Sequence, residues 1–341
     1  MGKKIAAVVL LGIVVAAAAI TWIFILAPAP TYAPWNDDGD AQYAALPDGG
    51  RLAYFYHPAP ALADWPPVVL LHGGPGAPAV WPAALIDAIT GGGRDVYDYH
   101  QIGAGLSTRL ADVEGYTLAR QVSDLEAMRA LTGHDTVVLL GTSSGAQLLA
   151  HYLAAHPQRV ERAIIVSPAP IWPAAFTDET RLTEGGRLDQ QRAVSQHPRM
   201  IATVILTGVL GAASAHALLP DERMDGVYQA MVESLDMNAG CEGPAADPRS
   251  KPLPGYGYWV NVMTTRDAAR NAADPRATLA AVEVPALVVR GSCDYIAPAV
   301  AAEYADLMRN AEVASLEGAG HALVLERPEE FAALVGAFLA Q

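Results

Sequence analysis

One stretch constrains this chain more than any other: Val137-Val138-Leu139-Leu140-Gly141-Thr142-Ser143-Ser144-Gly145-Ala146-Gln147-Leu148-Leu149. A β-branched, apolar run stops at a glycine, a serine follows with glycines two residues to either side, and a helical pattern of Leu148, Leu149 and Tyr152 begins at once. Gly-x-Ser-x-Gly between a strand and a helix predicts a very tight turn. There the serine adopts a strained backbone and its neighbours must lack bulk. Such a turn lifts the hydroxyl clear of a sheet. It also sets the amide of the next residue, Ser144, at the positive end of a helix, where an oxyanion binds well.

The rest of the chain supplies the sheet. Ala44 to Tyr54 reads as two strands about an Asp48-Gly49 turn. A short apolar run without alternation, as expected of a strand covered on both faces, occurs at Pro67 to Leu71, and further strands are expected at Asp95 to Tyr99, Glu161 to Val166 and Val284 to Gly291. A further strand is expected at Val313 to Leu316. Helical patterns fall between them, near Pro82 to Ile89, Leu118 to Leu131, Val300 to Met308 and Pro328 to Leu339. Strands and helices alternating at this spacing give an α/β fold, a mostly parallel central sheet with helices on both faces. The rhythm breaks between Pro168 and about Pro275. Only helix-like pieces appear there, near Asp189 to Ala193, Met200 to Leu210 and Asp221 to Leu235. The expected organisation is therefore a core of residues 35–167 and 276–341, with residues 168–275 as a helical cap over the carboxyl edge of the sheet.

Ligands of such sheets bind beyond the carboxyl ends of the strands. Three reactive groups fall there, in the order Ser143, Asp294, His321. A serine hydroxyl is a weak nucleophile near neutral pH and needs a base within reach, which histidine provides. The histidine needs a carboxylate to fix its tautomer and stabilise its charged form. Asp294 could instead simply cap the short turn at Ile296. Acyl transfer also needs two oxyanion donors. The Ser144 amide is one candidate. The Gly74 amide is the other, in the His72-Gly73-Gly74-Pro75-Gly76 loop, where glycines let the backbone approach a substrate.

Taken together, His72-Gly73-Gly74-Pro75-Gly76, Gln101-Ile102-Gly103-Ala104-Gly105-Leu106-Ser107, Gly141-Thr142-Ser143-Ser144-Gly145, Gly291-Ser292-Cys293-Asp294 and Gly318-Ala319-Gly320-His321 resemble the proline iminopeptidase branch of the α/β-hydrolases. The resemblance spans about Tyr43 to Gln341. It implies a metal-free serine aminopeptidase of the α/β-hydrolase fold. Such an enzyme works through an acyl-enzyme under a helical cap and acts on short peptides or aminoacyl amides. The chain departs from the family's Asp-Gln-Arg-Gly loop, reading His100-Gln101-Ile102-Gly103. It also has Ser144 where the family has a bulky aromatic after the nucleophile. Both changes alter the pocket wall and bear on proline preference more than on hydrolysis. The family's cap holds the substrate amine with acidic side chains. Glu222, Asp225, Glu233, Asp236 and Glu242 are available here, with Glu222 and Glu233 taken as the substrate-binding candidates. Two other readings stay open: a carboxylesterase or amidase acting on small esters, and a non-catalytic binding module on a hydrolase scaffold.

Composition narrows the partners. A net charge of −14 argues against nucleic acid, whose binders carry a basic footprint. There is no Cys/His spacing of a zinc site and no Walker-type loop, so neither metal nor cofactor is expected. Lys3 and Lys4 precede an uncharged stretch from Ile5 to about Ala27, followed by Pro28, Pro30 and Pro34. That length predicts a single N-terminal membrane anchor and linker over residues 1–34, with the catalytic part extracytoplasmic. The rival reading is a cleaved signal peptide and a secreted protein. Outside the cytoplasm Cys241 and Cys293 could pair. That bond would staple the cap to the Asp294 loop and contribute on the order of 4 kcal/mol in the chain-entropy account.

Overall fold

The central parallel strands are apolar over most of their length because both of their faces are covered. In the computed structural model, Val69, Leu71, Val137, Leu139, Ala163, Ile165, Ala286 and Val288 face one core. Their immediate neighbours Val68, Leu70, Val138, Leu140, Ile164, Val166, Leu287 and Val289 face the other. The structure describes residues 39–61, 64–240 and 254–341, together with residues 11, 12, 14, 15, 18, 21, 22, 32 and 34–36.

Eight strands form one sheet: β1 (Gln42–Ala45), β2 (Arg51–His57), β3 (Val68–Leu71), β4 (Val96–Tyr99), β5 (Val137–Thr142), β6 (Val160–Val166), β7 (Ala286–Gly291) and β8 (Ala311–Leu316). Their order is β1-β2-β4-β3-β5-β6-β7-β8. Strand β2 runs antiparallel to both of its neighbours, β1 and β4, and the remaining pairs are parallel. The helices before the β6–β7 connection are α1 (Ala83–Gly91), α2 (Leu118–Leu131) and α3 (Ser144–Ala155). Between β6 and β7 the described chain is helical and contains no strand. Its helices are α4 (Asp178–Arg181), α5 (Glu184–Gln196), α6 (Pro198–Leu210), α7 (Ala212–Leu218), α8 (Asp221–Glu233), α9 (Tyr258–Arg270) and α10 (Arg276–Leu279). The chain closes with α11 (Pro298–Leu307), α12 (Leu323–Glu326) and α13 (Pro328–Leu339). Helices α1 and α13 cover one face of the sheet through Leu85, Ile89, Phe331 and Val335. Helices α2, α3 and α11 cover the other through Leu125, Leu149, Tyr152 and Tyr304. The mostly parallel α/β architecture is as expected. The sequence pattern missed α7, a short helix that buries only Ala212 and Ala215, and α9, which buries Tyr258, Trp259, Val260 and Met263.

The expected membrane anchor is corrected. Among the described residues no helix is long and apolar enough to cross a membrane. The membrane partner and the extracytoplasmic or secreted placement drawn from that anchor go with it. The sequence criterion asked only for a contiguous apolar run, whereas a span also requires one continuous helix of roughly 20 residues. Most of the Ile5–Ala27 stretch lies outside the described residues, as do Cys241 and Glu242.

One core carboxyl does not belong to the expected site. Asp98 on β4 is buried and takes one hydrogen bond, from the Trp81 indole at 3.1 Å. Burial pushes its pKa up to about 7, with the Trp81 bond opposing. An unfolded aspartate titrates near 4, so between about pH 4 and 7 the folded state holds more protons. This group's contribution is complete below pH 4 and is lost as pH rises through 7. Asp98→Asn is therefore expected to raise unfolding free energy at pH 8 by on the order of 2 kcal/mol, with the gain gone by pH 4. Urea titrations of both proteins at the two pH values check this.

Candidate active site

All parallel strands end at one edge, and the chain order reverses between β3 and β5. A crevice opens at such a reversal, and here the loops after β3 and β5 flank it. Ser143 occupies the turn from β5 into α3 with φ 53° and ψ −118°, a region side chains rarely enter. Its amide donates to Val166 O at 2.9 Å and its carbonyl accepts from Ala146 N and Ala169 N, both at 3.0 Å. The flanking glycines are steric necessities. A Cβ on Gly145 would lie 2.2 Å from Leu71 O, and one on Gly141 2.5 Å from Gly145 O. The backbones of β3, β5 and α3 meet too closely for any side chain.

The loop after β3 lies against this turn. A Cβ on Gly73 would sit 3.1 Å from Ser143 Cβ and 3.7 Å from Ser143 Oγ. Gly74 follows with φ 115°. The amides of Gly74 and Ser144 donate to no group among the described residues. Ser144 is the first residue of α3, so its N–H is one of the unsatisfied donors at the positive helix end.

Two strands further along, Asp294 follows β7, and His321 follows β8. Asp294 Oδ1 accepts from His321 Nδ1 at 2.8 Å and from Ile296 N at 2.9 Å. The carboxylate thus holds the histidine and also makes the turn-capping bond. Burial pushes the Asp294 carboxyl up, but the His321 imidazole and the Ile296 bond outweigh it and hold the pKa below the usual range. An ionised carboxylate only accepts, so the network assigns the proton to Nδ1 and leaves the Nε2 lone pair available. The Ser143 hydroxyl makes no hydrogen bond within the described residues; such a bond commonly forms or tightens only around substrate.

Other residues also shape this edge. The Tyr295 ring lies 4.4 Å from the His321 ring, centroid to centroid. Gly320 N donates to Glu326 Oε2 at 2.6 Å, and His321 N donates to Met237 O at 2.8 Å, so the histidine loop is held on both sides. His72, wholly buried, donates from Nδ1 to Gly73 O at 2.9 Å and accepts from Gln101 N at 3.0 Å. Gln101 Nε2 returns a bond to His72 O at 2.7 Å. Those bonds tie the loop after β3 to the loop after β4. Burial drops the His72 pKa to about 4, which keeps the ring neutral and the tie intact.

The acidic candidates are not drawn into this cluster. Glu222 and Glu233 are both exposed on α8. Glu233 accepts from Gln229 Nε2 at 2.8 Å. The buried acid of α8 is Asp225, whose oxygens take Tyr258 N at 2.8 Å and Arg109 at 3.2 Å. Asp236 is exposed and accepts from Asn238 N.

Comparison with known proteins gives a consistent result. The sequence model of a family described as alpha/beta hydrolase fold matches residues 66–328, more than half of the chain. A proline iminopeptidase of Lactobacillus helveticus is 26% identical over 287 residues, covering 82% of this chain and 91% of that protein. Among solved structures, an esterase from Rhodococcus superposes with a TM-score of 0.61 at 20% identity, over 89% of this chain and 99% of the other. A proline iminopeptidase from Mycobacterium smegmatis superposes with a TM-score of 0.58 at 22% identity, over 88% and 98%.

Proposed function

This chain belongs to the α/β-hydrolase fold family, and we propose that it is a serine hydrolase in which Ser143 is the nucleophile, His321 the base and Asp294 the acid. The observation that carries the reading is the strained Ser143 turn at the same sheet edge as the 2.8 Å Asp294–His321 bond. His321 Nε2 takes the hydroxyl proton as Ser143 Oγ attacks the substrate carbonyl. The oxyanion that forms is received by the Gly74 and Ser144 amides, which lack other acceptors. His321 then gives the proton to the leaving group. Water, deprotonated by the same nitrogen, releases the acyl product. Residues 35–167 and 276–341 would form the catalytic core and 168–275 the cap over it.

For substrate, the preferred reading is an aminopeptidase of the proline iminopeptidase type, acting on short peptides or aminoacyl amides. The relative at 26% identity supports it. A small-ester hydrolase is the second reading, favoured by one observation. The buried acid of α8 is already engaged by Arg109, and Glu222 and Glu233 point to solvent, so no spare carboxylate among them meets a substrate amine. Turnover of proline naphthylamide beside p-nitrophenyl acetate, with Ser143→Ala as control, separates the two. Cleavage of the ester alone removes the peptidase reading. Failure of a fluorophosphonate to label Ser143 in the folded protein removes hydrolysis altogether and leaves a binding module.

A further inference from the structure

The loop proposed to supply an oxyanion donor is held chiefly by the helical connection between β6 and β7. Its four successive carbonyls are all engaged. Gly73 O takes Ala77 N at 3.2 Å as well as His72 Nδ1. Gly74 O and Pro75 O take the side-chain amide of Asn261, on α9, at 3.0 and 3.1 Å. Pro75 O also accepts the hydroxyl of Tyr228, on α8, at 3.3 Å, and Tyr228 in turn accepts from Asn261 Nδ2 at 2.8 Å. Gly76 O takes Gly257 N at 2.7 Å, one residue before α9 begins. Three of the four carbonyls are thus fixed from outside the core sheet, while the Gly74 N–H donates to no group among the described residues. Tyr228 is buried, with 3% of its surface exposed, whereas Asn261 is half-buried and its bond to Gly74 O lies open to solvent.

We infer that Asn261, supported by Tyr228, is a positioning residue that sets the oxyanion loop, so that placement of the helical segment and readiness of the oxyanion site are one event. The inference rests on the reading of Ser143 as nucleophile and Gly74 as oxyanion donor. Its physical basis is that a donor stabilises the transition state only where it is already aimed at the developing charge. A shift of about 1 Å in a positioning element can remove much of that stabilisation. Asn261 touches carbonyls and not the reacting atoms, so it acts through the loop.

The test compares wild type, Asn261→Leu, Tyr228→Phe and Ser143→Ala in the full chain. Active sites are counted by fluorophosphonate labelling carried to completion, and p-nitrophenyl acetate turnover is expressed per labelled site. Asn261→Leu should lower kcat per site by about tenfold or more, with KM changed less than twofold and the acid limb of the pH profile unmoved. Tyr228→Phe should lower it by about threefold in the same pattern. A purely structural role would instead lower the number of labelled sites and leave kcat per site alone. That outcome, or a kcat per site within twofold of wild type for Asn261→Leu, overturns the inference. An unlabelled wild type, or a Ser143→Ala protein that still turns over substrate at the wild-type rate, marks failure of the underlying reading and takes this inference with it.

Discussion

Ser143→Ala should reduce kcat by about a millionfold, to a residue of turnover still above that of water alone. The size follows from how the parts depend on one another. The Asp294–His321 pair is already assembled at 2.8 Å with its Nε2 lone pair available. Without the hydroxyl, that base has no proton to remove, and the attack on the carbonyl is lost. What remains is binding and the oxyanion donors, worth a residual 10³–10⁴ or so over water in enzymes of this design. For the same reason His321→Ala should fall nearly as far, and the double variant no further, since both remove one concerted step. Rates measured on protein repurified free of host esterases check this. Turnover by Ser143→Ala within tenfold of wild type would mean that another residue is the nucleophile.

Asp225→Ala should destabilise the fold by about 3 kcal/mol, among the largest effects available to a single substitution here. Asp225 is 4% exposed and joins three segments at once. It pairs with Arg109, from the loop after β4, and accepts Tyr258 N at the start of α9. Alanine would leave the Arg109 guanidinium without its counter-charge, which typically costs 3–5 kcal/mol for a buried pair. The lower end applies, because Arg109 is 23% exposed and keeps Tyr256 O at 3.0 Å as an acceptor. Asn should cost less. Burial pushes the Asp225 pKa up to about 6 despite Arg109, so the charged form is disfavoured even in its pair. The sign follows: with a raised folded pKa, this carboxyl stabilises fully below pH 4 and the contribution is lost as pH rises through 6. The stability of Asp225→Asn relative to wild type should therefore improve from pH 4 to 7. Urea midpoints for the three proteins at both pH values test it, and an Ala variant as stable as wild type would show that the pair holds nothing together.

The loop around Ser143, the parallel sheet and the Asp294 and His321 positions were legible because each depends on short-range rules. A Cβ on residue 145 would lie 2.2 Å from Leu71 O, a crossing only glycine permits, so Gly145 announces the turn in the sequence itself. A strand covered on both faces reads as a nearly continuous apolar run, and a parallel sheet places every strand's carboxyl end on one edge. The N-terminal stretch shows the limit of such rules: apolar length alone predicts a membrane span, yet no described helix meets that requirement.

Tertiary structure alone decided which groups outside those motifs serve the site. Asn261 lies 187 residues from the Gly74 carbonyl it holds, and Asp225 lies 116 from Arg109. Neither stands in a pattern with local meaning, and the Met237 contribution to His321 is a backbone carbonyl, which any residue carries. Such contacts depend on how helices from a long connection settle over the sheet. That is set by the sum of many weak packing terms spread along the chain, which no short stretch of sequence contains.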